Sequence, residues 1–224
     1  MAIVGVDACK SGWIAVVLRG ESVSATHLKR IDGLEAAIPD AEVIAIDIPI
    51  GLPTAGRRLA DIDAKKTLGK RGSTLFVVPV RAALEAPTHS EATRLSRELS
   101  GFGISQQSYA LAPKILEVEG WLLSAPCSVW EVHPELSFAE LNGSVMTSSK
   151  KSWAGMMQRR ELLIRAVIDL DHVTGDASER AATDDMLDAA VAAWSGKRML
   201  EGHARSIPTV APVDSIGRMV AIWV

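Results

Sequence analysis

Cysteine is scarce in this chain of 224 residues: only Cys9 and Cys127 are present, far apart. No CxxC pair exists, which excludes zinc ribbons, thioredoxin-type motifs and a disulfide scaffold. No uninterrupted apolar run approaches the roughly 20 residues that cross a bilayer. The N-terminus, Met1 to Asp7, has no charged segment before its apolar run, and Asp7 interrupts that run, so neither a signal peptide nor a membrane span is expected. A cytoplasmic protein with free thiols is the expectation. A large excess of one charge is also missing: 24 basic against 27 acidic residues give a formal charge of -3. That excludes a strongly basic nucleic-acid coating protein but leaves room for a local basic groove. What remains, 48% hydrophobic and 23% charged, is an ordinary globular composition. One domain over 1–224 is expected, long enough to bury a core without staples.

The apolar pattern predicts strands at 2–6, 13–18 and 23–28, the first ending on Asp7. A short helix follows at 31–38, closed by Pro39, and then a continuous apolar run, Val43 to Pro49, of the kind a buried central strand shows. From about 54 to 126 the pattern turns largely helical, with helices near 59–69, 89–98 and 106–123. A strand at 129–132 stops at His133-Pro134. Helices at 135–141, 154–170 and 178–201 and a last apolar run at 219–224 complete the chain. This order predicts an α/β fold with a mixed sheet flanked by helices and carrying a helical insert.

Three of the β-type runs carry a carboxylate: Asp7, Asp47 and Glu131. An aspartate in a central strand opposes β-propensity, and burying its charge costs several kcal/mol unless it is paired or metal-bound. A fourth group lies in the helix that contains Asp184, Asp185 and Asp188, where spacings of three and four put two acids on one face. A strand-end carboxylate also serves as a loop cap, and Asp184 as a helix cap. Four such sites together favour a cation among them. Hard divalent cations take carboxylate oxygens, and two-metal phosphoryl chemistry needs acids from several elements.

The chain resembles a prokaryotic family of predicted RNase H-like nucleases (domain-of-unknown-function family 429). The segments that carry the resemblance are Val4 to Trp13, Asp47 to Pro53, Leu68 to Arg71 through Phe76 to Arg81, Ala112 to Ile115, Glu131 to Glu135, Ser149 to Lys151 and Thr183 to Ala189. They run in order along nearly the whole chain. Ala8 and Ser11 depart from the glycines usual there, which keeps small side chains in that turn. The resemblance implies an RNase H-like sheet, three antiparallel strands followed by parallel ones. It also implies metal ligation by acids on the first strand, the fourth strand and the last helix: Asp7, Asp47 and Asp185 or Asp188. Glu131 is a further catalytic candidate, and Mg²⁺ or Mn²⁺ is the implied cofactor.

Charge is unevenly distributed. Residues 57–81 hold seven basic against two acidic residues, and 148–165 five against one, leaving the rest of the chain strongly acidic. A polyanion such as DNA or RNA suits that pattern, because phosphate contacts dominate such binding. Lys10, Arg71, Arg81, Lys114, His133 and Lys151 lie inside the shared motifs and are the candidate substrate-binding residues. His133 is alternatively a plain polar residue at a strand end. Trp13, Trp130 and Trp153 are candidates to stack on bases, core packing being the simpler role for Trp130. The zinc-deaminase, dinucleotide-loop, Walker, GxSxG and HExxH patterns are absent or incomplete. The leading expectation is a divalent-metal-dependent nuclease or phosphodiesterase. The alternatives are a nucleotide-dependent phosphotransferase or hydrolase of actin-like type, and a non-catalytic binding protein that keeps the fold. Oligomeric state is not legible.

Overall fold

A computed structural model describes every residue except Ser215. Two compact units divide it. The first comprises 1–48, 121–205 and 223–224, and the second 49–120 and 206–222. The helical insert expected over about 54–126 therefore runs from Pro49 to Gly120 and groups with a C-terminal stretch.

In the first unit, Ala2–Cys9 (β1), Gly12–Arg19 (β2) and Ser22–Leu28 (β3) form an antiparallel meander. A 3-10 turn at Ile31–Gly33 and the short helix Leu34–Ala37 (α1) lead into Ala41–Ile46 (β4), which pairs parallel with β1. Ser128–Glu131 (β5) pairs parallel with β4, so the sheet order is β3-β2-β1-β4-β5. These are the three antiparallel and then parallel strands implied by the resemblance. Residues of β1, β2 and β4 are almost all buried, as unbroken apolar runs require, while β3 at the edge is half-exposed.

The second unit contains helices Leu59–Leu68 (α2), Arg81–Leu84 (α3), His89–Ser100 (α4) and Gln106–Ala110 (α5), with Ala112–Trp121 (α6) leading back to the sheet. The last two correspond to the single helix expected over 106–123. Its core is polar in one place. Buried Arg58 pairs with Asp61 at 2.5 Å and donates to the Ile50 carbonyl at 3.0 Å, while Asp61 accepts the Val78 amide at 2.9 Å.

Pro134–Asn142 (α7), Trp153–Arg165 (α8), Asp176–Arg180 (α9) and Thr183–Leu200 (α10) complete the helices. Two expectations need correcting here. The helix expected over 154–170 ends at Arg165, with Val167 at a φ of 63° just beyond. The helix expected over 178–201 is two helices, because Ala181 and Ala182 are extended. The Asp185 carboxylate then accepts the Ala182 amide at 3.2 Å and starts a new helix. Asp184 and Asp185 in its first turn and Lys197 and Arg198 in its last suit the helix dipole.

Helix α10 lies against the sheet at very close range, and its composition is the reason. Ala189, Ala192, Ala193 and Gly196 present almost no side chain, and β1 answers with Gly5. A Cβ on Gly5 would stand 2.1 Å from both the Ala189 carbonyl oxygen and the Ala193 amide nitrogen. No other residue fits there. Around this contact, Ile14, Val16, Leu18, Phe138, Met146, Leu163 and Leu187 form the apolar core. Trp13 is fully buried and therefore no base-stacking surface. Trp130 packs edge-on against Trp223 with ring centroids 4.8 Å apart, as the core reading expects. Among the described residues, no helix is long and apolar enough to cross a membrane.

Candidate functional site

Side chains alternate across a strand, so the residue two beyond Gly5 shares its face. That residue is Asp7, and it therefore points to the α10 side of the sheet. In β4, Ala45 packs against Gly196 and Ala192, and the same alternation carries Asp47 to that face. The strand ladder continues one step past β4, where the Asp47 amide donates to the Val6 carbonyl at 2.9 Å. On α10, Asp188 lies four residues before Ala192, on the face turned to the sheet, and is 2% exposed. Three carboxylates from three elements thus meet at one end of the sheet.

Their proton affinities are linked. Burial, followed by the charges of Asp47 and Asp188, holds the Asp7 carboxyl well above the usual carboxylate range. Asp47 is pushed up to about 8 by desolvation and then by Asp188. Asp188 is raised to about 6 by burial, Lys150 opposing the rise. Asp7 accepts the Ala8 amide at 2.8 Å, which orients its carboxylate.

One cation lies among these acids. The Lys150 ammonium donates to Asp188 Oδ2 at 2.5 Å and stands 3.6 Å from Asp184. Burial opposes its charge, but Asp188, Asp7 and Asp184 hold it firmly protonated. Lys150 was legible only as part of the Ser149-Lys150-Lys151 motif, because its partner is 38 residues away in sequence.

The loop that carries Lys150 is anchored from below. Arg159 is fully buried, pairs with Glu135 at 2.9 Å, and donates to the Ser148 and Gly155 carbonyls at 3.2 and 3.0 Å. Ser152 caps α8 by accepting the Gly155 amide at 3.1 Å. A Cβ on Gly155 would stand 2.0 Å from the Ser149 carbonyl oxygen, so only glycine lets the loop lie this close.

Of the other candidates, Asp185 caps α10 and is half-buried, and its charge also raises Asp7, though less than those of Asp47 and Asp188, so Asp188 is the helix acid set closer among the strand acids. Glu131 is buried, 5% exposed; the strand alternation that sends Val132 to the α10 face sends Glu131 to the opposite one, yet its charge still raises Asp47. His133 follows β5 and begins α7. Its Nδ1 is buried without a hydrogen-bond partner, and desolvation with the nearby Lys150 charge lowers its pKa to about 4, so the ring is neutral. Lys10 is exposed in the turn between β1 and β2. Lys151 is exposed and, with Lys150, Ser152, Trp153, Met156, Thr183 and Asp184, lines a cavity of about 490 Å³. Trp153 on its wall is 74% exposed.

Arg71, Arg81 and Lys114 belong to the second unit. Arg71 sits in a 3-10 turn at Gly69–Thr74, and Lys114 in the first turn of α6. Arg81 pairs with Glu119 at 2.5 Å and with Glu85 at 3.5 Å, so a phosphate would compete with two carboxylates for it.

The donor set suits a hard divalent cation: carboxylate oxygens, desolvated, repelling one another, with one lysine to offset several acids. Among the described residues, however, no three His, Cys, Asp or Glu side chains close into a finished metal shell.

The family model described as "Protein of unknown function (DUF429)" matches residues 5–212, and the chain belongs to that family. Neither the curated proteins nor the solved structures yield a match.

Proposed function

We propose that this protein is a divalent-metal-dependent phosphodiesterase acting on nucleic acid, on an RNase H-like scaffold. The observation that carries this reading is the convergence of Asp7, Asp47 and Asp188 from β1, the end of β4 and α10, Asp47 and Asp188 raising the proton affinity of Asp7, and Asp188 that of Asp47. Such a cost is tolerated where the charges serve a bound cation. Asp7, Asp47 and Asp188 would hold Mg²⁺ or Mn²⁺, with Asp184 and Asp185 at the margin. When bound, the metal supplies an activated water and charge stabilisation at phosphorus.

The chain's own side chains do the rest. The cavity beside the acids offers Lys151 to a phosphate and the exposed Trp153 face to a base. A base can lie on that indole only when it is unstacked, which favours single-stranded substrate. His133, buried near the Lys150 charge, stays neutral beside the acids. The free thiols Cys9 and Cys127 suit a reducing cytoplasm.

Cleavage of labelled single- and double-stranded DNA and RNA in Mn²⁺ tests the proposal. Wild type should cleave at least one, and Asp7→Asn should abolish that activity. No cleavage of any substrate, or an active Asp7→Asn, overturns it. The second reading is a binding protein without catalysis, favoured by the ammonium already seated on Asp188. It predicts oligonucleotide binding with no turnover at any metal concentration.

A further inference from the structure

We infer that Lys150 is a built-in counter-ion that competes with the divalent cation for Asp188, so that metal binding evicts its ammonium from the carboxylate cluster. The inference rests on the metal-site reading above and goes beyond it by assigning a role to a residue which that reading does not use.

The geometry supports competition rather than cooperation. The ammonium lies 2.5 Å from Asp188 Oδ2, the distance of a full charge-assisted hydrogen bond, and 3.6 Å from Asp184. Asp188 is 2% exposed, and the ammonium already occupies its Oδ2, one of the two oxygens a divalent cation would take. A divalent ion and an ammonium sharing one carboxylate at such range repel strongly in a desolvated site. The two therefore compete for Asp188.

Lys150 has somewhere to go. Its side chain is 34% exposed and lines the cavity that Lys151 and Trp153 also line, so a rotation about its own carbon chain takes the ammonium from acid to open cavity. The backbone need not follow, because Arg159 pins the loop at Ser148 and Gly155. In the metal-free protein Lys150 offsets the repulsion among the acids, and in the metal-bound protein it faces the cavity where a phosphate would lie. Metal and polyanion then bind with positive coupling, since the phosphate provides the evicted ammonium with a new partner.

Two measurements on the full chain test this. The first is the Mn²⁺ dissociation constant at pH 8, by electron paramagnetic resonance of free Mn²⁺, for wild type, Lys150→Met and Lys150→Arg. Lys150→Met should bind on the order of tenfold tighter, and Lys150→Arg no tighter than wild type. The second needs no variant: acylation of Lys150 by an amine-reactive ester, followed by mass spectrometry in EDTA and in Mn²⁺. Labelling should rise several-fold with metal. Wild type that binds Mn²⁺ with unchanged Lys150 labelling, or a Lys150→Met that binds no tighter, overturns the inference and leaves the metal site standing. Failure of both wild type and Lys150→Met to bind Mn²⁺ overturns the inference and the metal reading together.

Discussion

Replacing Asp47 with Asn removes a carboxyl that the metal-free fold keeps protonated at a cost in stability above pH 4. In the unfolded chain this carboxyl ionises near 3.8, whereas desolvation and the charge of Asp188 push it to about 8 in the folded protein. A raised carboxylate pKa means the folded state holds a proton that the unfolded state has lost. Stability from this group is therefore complete below about pH 4 and is lost as the pH rises through about 8. At about 1.4 kcal/mol per pH unit, the loss reaches about 4 kcal/mol at pH 7. Partial exposure of Asp47 screens roughly half of it, leaving about 2 kcal/mol. For a chain of this size that corresponds to about 4–8 °C in Tm. Differential scanning calorimetry in EDTA from pH 4 to pH 8 measures it. Asp47→Asn should melt with wild type at pH 4 and well above it at pH 8, while losing the stabilisation that Mn²⁺ gives wild type. An Asn variant that is no more stable at pH 8, or that keeps the wild-type pH slope, refutes the reasoning.

Gly5→Ala should destabilise by about 3 kcal/mol or more, since its Cβ meets backbone of α10 at 2.1 Å and nothing flexible can yield; a urea midpoint near wild type contradicts the packing account. Arg159→Met breaks a buried pair with Glu135 and should cost about 3–5 kcal/mol. Hydrogen exchange in 148–155 should accelerate with it, and unchanged protection there would show that Arg159 does not hold the loop. Trp153→Ala should alter stability by less than about 0.5 kcal/mol but weaken single-stranded oligonucleotide binding in EDTA on the order of tenfold. Fluorescence anisotropy reads that loss, and equal binding removes Trp153 from the substrate surface.

Much of the strand order was legible because buried strands announce themselves as short unbroken apolar runs. Val43 to Ile46 is the clearest case, and the carboxylate after it stood out because nothing in a strand requires one. Asp7 and Asp47 were readable for that reason. The choice between Asp185 and Asp188 was not, since helical spacing places both near one face and only the turn at Ala181–Ala182 makes Asp185 a cap. That break is itself faint in sequence, because two alanines favour helix and are overridden by the cap. Glu131 carries the same strand signal as the aspartates; strand alternation relative to Val132 and Ala45 puts it on the other face, from which its charge still reaches Asp47. Lys150 and Arg159 were missed as site residues because their partners, Asp188 and Glu135, lie 38 and 24 residues away. No local pattern encodes such pairs.

A crystal structure of the protein soaked in millimolar Mn²⁺, with anomalous diffraction recorded at the manganese edge, tests the central claim most directly. An anomalous peak is expected within coordination distance of carboxylate oxygens of Asp7, Asp47 and Asp188, with the Lys150 ammonium moved off Asp188 into the cavity beside Trp153. A map without manganese at these carboxylates, and with Lys150 still on Asp188, would contradict it.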